Sequence, residues 1–249
     1  MFDTTSYPRF HFPLHLSCSI LSSLLLNSTR NYHMDANIVL QRNSSQIQLL
    51  GIENIPKVGS TLVTLNHYAR DGFSIIWAAL AIASQLPKEQ LWLMTNAWTN
   101  RTNGLDIVRT KITRCLFRRI ADVYGFITTP AMPPVAREMV DRALSIRAVF
   151  QFVKSHSSAI VCLAPEGRDY PYGIIGQPPP GTGKFIYQLS NYLETVLPVG
   201  VFEKDKKLVI SFGHAYHLKE ICDPNDEKIS RIVMERIRIQ LPNYFEMAS

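Results

Sequence analysis

Thr61-Leu62-Val63-Thr64-Leu65-Asn66-His67-Tyr68-Ala69-Arg70-Asp71-Gly72 decides the fold. Residues 61–65 are a short run of β-branched and apolar residues, the pattern of a buried strand. The run ends abruptly in a polar cluster, residues 66–71, and residues 73–86 are then almost entirely apolar and rich in alanine. That length and composition favour a buried helix, which Pro87 stops. Strand, polar loop and buried helix in this order form half of a βαβ unit.

The same alternation continues outward. Upstream, residues 45–50 alternate and read as a strand, and residues 51–59, with Pro56, as a turn. Downstream, strands are expected at 91–95, 159–163, 196–202 and 208–212, and helices at 100–119, 136–154, 185–193 and 228–239. A loop dense in Pro and Gly fills 164–183. Strands separated by helices imply an α/β fold, a largely parallel central sheet with helices on both faces. With 249 residues, the division expected is a short N-terminal extension, 1–35, and one α/β domain, 36–249.

Composition narrows the class. Hydrophobic residues make up 46% and charged residues 18%, so the chain can build a core and is not a disordered segment. The net charge of +6 suits anionic lipid headgroups, a polyanionic cofactor or nucleic acid. No zinc-finger spacing, RNA-binding signature or long basic tail is present, and neither a metal nor a nucleic-acid partner is expected. Cys18, Cys115, Cys162 and Cys222 contain no CxxC pair and read as reduced thiols facing a cytosol-like compartment, with Cys162 in the core.

No stretch has the roughly 20 apolar residues of a membrane-crossing helix. The greasiest N-terminal stretch, 12–26, reads either as an interfacial anchor or as a poorly ordered extension. Residues 100–119 carry Arg101, Arg109, Lys111, Arg114, Arg118 and Arg119 against Asp106, with Leu105, Val108, Ile112, Leu116 and Ile120 at helical spacing. This amphipathic basic helix suits an anionic bilayer and equally an ordinary solvated face.

Two polar clusters end strands: residues 66–71, and Pro165-Glu166-Gly167-Arg168-Asp169. Open α/β sheets gather their sites where strands end, so the two clusters are expected to meet at one edge. His67 is the general-base candidate, because imidazole ordinarily titrates near the working pH. Asp71, in the same loop, is the carboxylate nominated to fix its tautomer. Backbone N–H groups near Gly72, at the expected helix start, are placed where they could stabilise a developing negative charge. Pro179-Pro180-Gly181-Thr182-Gly183-Lys184 imitates part of a nucleotide-binding loop. The full pattern needs Gly at Pro178 and Ser or Thr at Phe185, so an ATPase is not expected.

Read in order, the blocks resemble the glycerolipid acyltransferase family, typified by 1-acylglycerol-3-phosphate acyltransferases. Gly51-Ile52-Glu53-Asn54-Ile55-Pro56 resembles the lead-in, Asn66-His67 the first block, Pro165-Glu166-Gly167-Arg168 the third, and Leu197-Pro198-Val199-Gly200 the fourth, with Phe212-Gly213 as its follow-on. The resemblance implies transfer of a fatty acyl group from acyl-CoA or acyl carrier protein to a lysophospholipid hydroxyl, without a resident cofactor. It implies His67 and Asp71 as catalytic residues, and Asn66, Glu166, Gly167 and Arg168 as substrate-binding residues. It also implies peripheral or monotopic attachment to the cytoplasmic side of a membrane. The chain departs from the pattern at three places. Three residues rather than four separate His67 from Asp71; the second block, Gly125-Phe126-Ile127-Thr128-Thr129-Pro130, has no Arg, leaving Arg137 as a distant substitute; and Asp169 stands where the third block usually has Arg. These departures leave open an acceptor other than lysophosphatidate, and a non-catalytic lipid-binding protein of the same fold as the alternative function.

Overall fold

A computed structural model describes residues 7–98, 105–131, 135–170, 174–221 and 224–247. In chain order the elements are α1 (Leu14–Leu26), α2 (Tyr32–Arg42), β1 (Ile47–Leu50), β2 (Thr61–Leu65), α3 (Ile76–Ala83), β3 (Gln90–Thr95), α4 (Leu105–Tyr124), β4 (Ile127–Thr129), α5 (Met139–Ser155), β5 (Ile160–Leu163), β6 (Ile174–Ile175), α6 (Thr182–Leu189), β7 (Thr195–Lys204), β8 (Lys207–Phe212), α7 (Asp226–Arg238) and β9 (Glu246–Met247).

Seven strands form one sheet in the order β1-β8-β7-β2-β5-β3-β4. The run from β7 to β4 is parallel throughout. The central strands β2 and β5 are buried along their whole length, which is why they read as continuous apolar runs rather than as alternating ones. β8 turns back antiparallel to β7 through Asp205 and Lys206, both in the left-handed region, the geometry of a tight two-residue hairpin. Pro198 has no N–H to return to Gly213, whose own N–H donates to the Pro198 carbonyl, so the β7–β8 ladder ends there.

The connections sort the helices onto two faces. The crossovers β2-α3-β3 and β3-α4-β4 advance one way along the sheet, and β4-α5-β5 and β5-α6-β7 return the other way. Right-handed crossovers put the two sets on opposite faces. Phe150 of α5 meets Phe185 of α6 edge-on at 6.0 Å on the second face. The α/β architecture expected from the alternating pattern is therefore the one observed. β2 and β5 are neighbours whose connections leave on opposite sides, so the crevice at their carboxyl ends is the topological switch point of the sheet.

Residues 7–35 are part of this body. The 35/36 division expected from sequence falls inside α2, and Leu16, Ala36 and Val39 are core residues. Asp35 accepts two bonds from Arg30 and one from the Tyr124 hydroxyl, tying α2 to α4. Phe10 stacks on Trp77 of α3 at 5.0 Å. α1 packs on α4 but leaves Leu14, Leu21, Leu25 and Leu26 exposed. Among the described residues, no helix is long and apolar enough to cross a membrane. Cys18, Cys115 and Cys162 are free thiols, and Cys162 is buried in β5 as read from its apolar surroundings.

Candidate active site

His67 directly follows β2, and the segment beginning at Ala164 directly follows β5, so adjacent strand ends deliver both polar clusters to the switch point. The side chain that organises the junction is Glu166. It is 1% exposed, and its carboxylate accepts from the backbone N–H of His67 through one oxygen and from that of Gly176 through the other, at 2.6 Å. Burial pushes the Glu166 carboxyl up, and the two backbone N–H groups oppose that shift. Asn66 is used in the same way. Its amide donates to the Val201 carbonyl at 2.9 Å and accepts from the Val201 N–H at 2.7 Å, locking the end of β2 to β7. Both residues were expected to touch substrate. The structure places them behind the wall of the cleft, with their polar atoms committed to backbone.

His67 lines the cleft. Its Nδ1 lies 2.7 Å from Oδ1 of Asp169. The separation is that of a hydrogen bond, although the ring N–H is not aligned on the carboxylate oxygen. The pairing holds the Asp169 carboxyl below the usual range, against its partial burial. Nε2 makes no hydrogen bond among the described residues. With the proton on Nδ1, Nε2 presents a lone pair to the cleft, the arrangement a general base needs.

Asp71 is not brought to His67. The Arg70 guanidinium turns inward to Glu203 on β7, bonding it through Nε and, at 2.7 Å, through Nη2. The Tyr7 ring lies 4.0 Å from the guanidinium carbon, and Tyr68 adds a hydroxyl bond to Glu203 at 2.9 Å. With residue 70 pinned inside, Asp71 is carried to the exposed rim, where its carbonyl accepts from Arg70 Nη1. The helix expected to begin at residue 73 begins at Ile76, so Gly72 lies in an irregular turn at φ 75°. The N–H groups near Gly72 are therefore not at a helix terminus, which corrects the expected oxyanion site.

Gly167 and Arg168 line the cleft, as expected for the third block. Gly167 sits at φ 65°, where a side chain is strained, so the turn after Glu166 needs glycine. Arg168 donates to the Tyr170 hydroxyl at 2.8 and 3.0 Å and lies over its ring. The Tyr170 ring in turn rests on Gly176, where a Cβ would lie 1.7 Å from it.

The cleft has a volume of about 1740 Å³ and is lined largely by apolar side chains, among them Leu24, Leu80, Trp92, Phe117, Val149 and Phe185. That exceeds the roughly 300–1,000 Å³ of an ordinary small-molecule pocket. Arg142 of α5 also reaches it, donating to the carbonyl of Pro130 at 3.0 Å. Sequence reading looked for a second-block cation at Arg137, which does not line the cleft; Arg142 enters because α5 packs on β4. The loop that imitates a nucleotide site is filled from within. Asp226 accepts from the N–H groups of Gly181 and Lys184, at 2.6 and 2.8 Å, where a phosphate would bind. Among the described residues, no group of three or more His, Cys, Asp or Glu side chains gathers to hold a metal ion.

No family model matches the sequence, and no curated protein matches it either. Among solved structures, the fold is similar to that of the 1-acyl-sn-glycerophosphate (LPA) acyltransferase PlsC from Thermotoga maritima. The TM-score is 0.53 and the identity 13%, covering 84% of this chain and 77% of the other. At that identity the likeness concerns the fold alone.

Proposed function

We propose that the protein transfers a fatty acyl group from an acyl thioester, acyl-CoA or acyl carrier protein, to the hydroxyl of a lysophospholipid or similar polar lipid. The observation that carries this reading is His67: an imidazole at the switch point of the sheet, with a carboxylate at Nδ1 and the side chain lining a large apolar cleft. In this reading Nε2 takes the acceptor hydroxyl proton as that oxygen attacks the thioester carbonyl. The tetrahedral intermediate collapses with loss of the C–S bond, and the thiolate leaves with the proton from the imidazolium. The products are an ester and a free thiol, and no acyl-enzyme forms. Arg168 and Arg142 supply positive charge for an anionic headgroup or for the donor's phosphates.

Membrane attachment belongs to the same proposal. α4 turns Val108, Ile112 and Leu116 outward together with Arg109, Lys111 and Arg118, beside the exposed leucines of α1. Exposed apolar side chains interspersed with cations match an anionic bilayer surface, apolar groups entering the acyl boundary and cations staying with the headgroups. Ile20, Leu21 and Leu24 of α1 also line the cleft, so a lipid substrate has an apolar route from that surface.

The test is incubation with labelled long-chain acyl-CoA, or acyl carrier protein, and a panel of lysophospholipids on vesicles. A labelled diacyl product supports the reading and names the acceptor. Vesicle-bound, folded protein that transfers to none of them supports the alternative, a non-catalytic lipid-binding protein, which the outward Asp71 and the second block without Arg favour.

A further inference from the structure

Asp169 has a specific task in this site. We propose that it is the positioning carboxylate for His67, supplied from the loop after β5, and that Asp71 plays no part in orienting the imidazole. The kinetic consequence rests on the acyl-transfer reading; the geometry does not. Three observations carry the proposal. Asp169 Oδ1 is 2.7 Å from His67 Nδ1, and among the described residues no other carboxylate pairs with a ring nitrogen of His67. Asp71 is held away by its neighbour, since Arg70 is fixed to Glu203 and its Nη1 also binds the Asp71 carbonyl. Asp169, though its side chain is 69% exposed, sits in a loop segment held by hydrogen bonds. Glu166 ties the start of that loop to His67 and Gly176, and Arg168 and Tyr170 on either side of Asp169 bond to each other.

A chemical reason accompanies the geometry. A general base whose neutral form carries its proton on Nδ1 needs an acceptor there, and the imidazolium formed during the reaction needs a negative charge nearby. β2 and β5 are hydrogen-bonded neighbours, so the loop after β5 reaches the same ring nitrogen without help from the His67 loop. The pairing also gives Asp169 a use at the position where the resembled family usually carries Arg.

The experiment compares full-length wild type with Asp169→Ala, Asp169→Glu and Asp71→Asn in two readouts. Steady-state kinetics are expected to show kcat lowered roughly 10²-fold in Asp169→Ala with little change in KM, an effect smaller than for a buried triad aspartate because this carboxylate is solvated. Asp169→Glu is expected to recover part of the loss, and Asp71→Asn to stay within about threefold of wild type, as an exposed rim residue should. The second readout is independent of turnover. The ¹⁵N shifts of the His67 ring, recorded on the neutral imidazole at about pH 8.5, are expected to report the Nδ1–H tautomer in wild type and Asp71→Asn and a shift toward Nε2–H in Asp169→Ala. A tautomer that changes in Asp71→Asn and not in Asp169→Ala overturns the proposal, as does one that changes in neither. If wild type transfers no acyl group at all, the function proposed above fails, and the tautomer still decides the role of Asp169.

Discussion

Replacing Arg70 by Met removes one half of a buried ion pair and leaves Glu203, whose side chain is 3% exposed, without its cation. Breaking a buried pair from one side costs about 3–5 kcal/mol, because the remaining charge stays desolvated. The Tyr68 hydroxyl still donates to Glu203 at 2.9 Å, and one retained hydrogen bond offsets about 1 kcal/mol. The net expectation is a loss of about 3 kcal/mol, which at roughly 2–4 °C per kcal/mol for a chain of this size lowers Tm by about 6–12 °C. Adding Glu203→Gln removes the stranded charge while keeping an acceptor for Tyr68, so the double variant is expected to regain at least half of the loss. Urea unfolding of wild type, both single variants and the double variant closes the cycle. A single Arg70→Met loss under about 1 kcal/mol, or a double variant no more stable than that single one, refutes the view that this pair anchors the His67 loop.

Other outcomes follow from the same contacts. Asp226→Ala strands the N–H groups of Gly181 and Lys184 at the start of α6 and is expected to cost about 1–2 kcal/mol in urea unfolding; magnesium ATP is expected to leave wild-type Tm unchanged, because that carboxylate fills the nest. Asp169 has a lowered pKa, so its pairing stabilises the fold above the ordinary value of about 3.9 and is lost as pH falls through the lower folded value. The Tm difference between wild type and Asp169→Ala is therefore expected to be present at about pH 4–5 and to shrink as the pH falls further. Substituting Leu21, Leu25 and Ile112 by Asp is expected to lower binding to anionic vesicles at least about tenfold in a sedimentation assay. These point changes are better probes than deleting the residues before Met34, because Leu16 is part of the core and deletion removes it.

The sequence was most legible where burial was complete. β2 runs over the same five residues read from the pattern, because a strand buried on both faces is an uninterrupted apolar run with clear polar ends. It was least legible at the periphery. α1 starts after Pro13 with no side-chain cap and buries only Leu16 and Ser23, so neither capping nor a core-facing stripe marks it. β4 has three residues, all half-buried, and β6 and β9 are only two residues long, too few for a period to register. On α4, Val108, Ile112 and Leu116 have the spacing of a core stripe and yet face outward. Periodicity establishes that they share a face but not what covers it.

Within the site, His67 was legible because a polar cluster after a buried strand is a local signal. Its partner was not, since Asp169 reaches it only through the pairing of β2 with β5. Asp71 was the natural local choice, and the inward turn of Arg70 that removes it depends on Glu203, far along the chain on β7. Glu166 and Asn66 were recognised as belonging to the site, but their residue types do not tell whether a polar group faces a ligand or a backbone N–H. Here both face backbone, and they fix the chain on either side of the histidine.

The central claim is that His67 is the base for acyl transfer, and one rate comparison tests it most directly. Single-turnover transfer from labelled acyl-CoA to the preferred lysolipid is measured for wild type and His67→Ala at equal vesicle occupancy. The account predicts a rate about 10²–10⁴-fold lower in the variant, the range for loss of a general base, with unchanged vesicle binding and Tm. A variant that transfers as fast as wild type contradicts it.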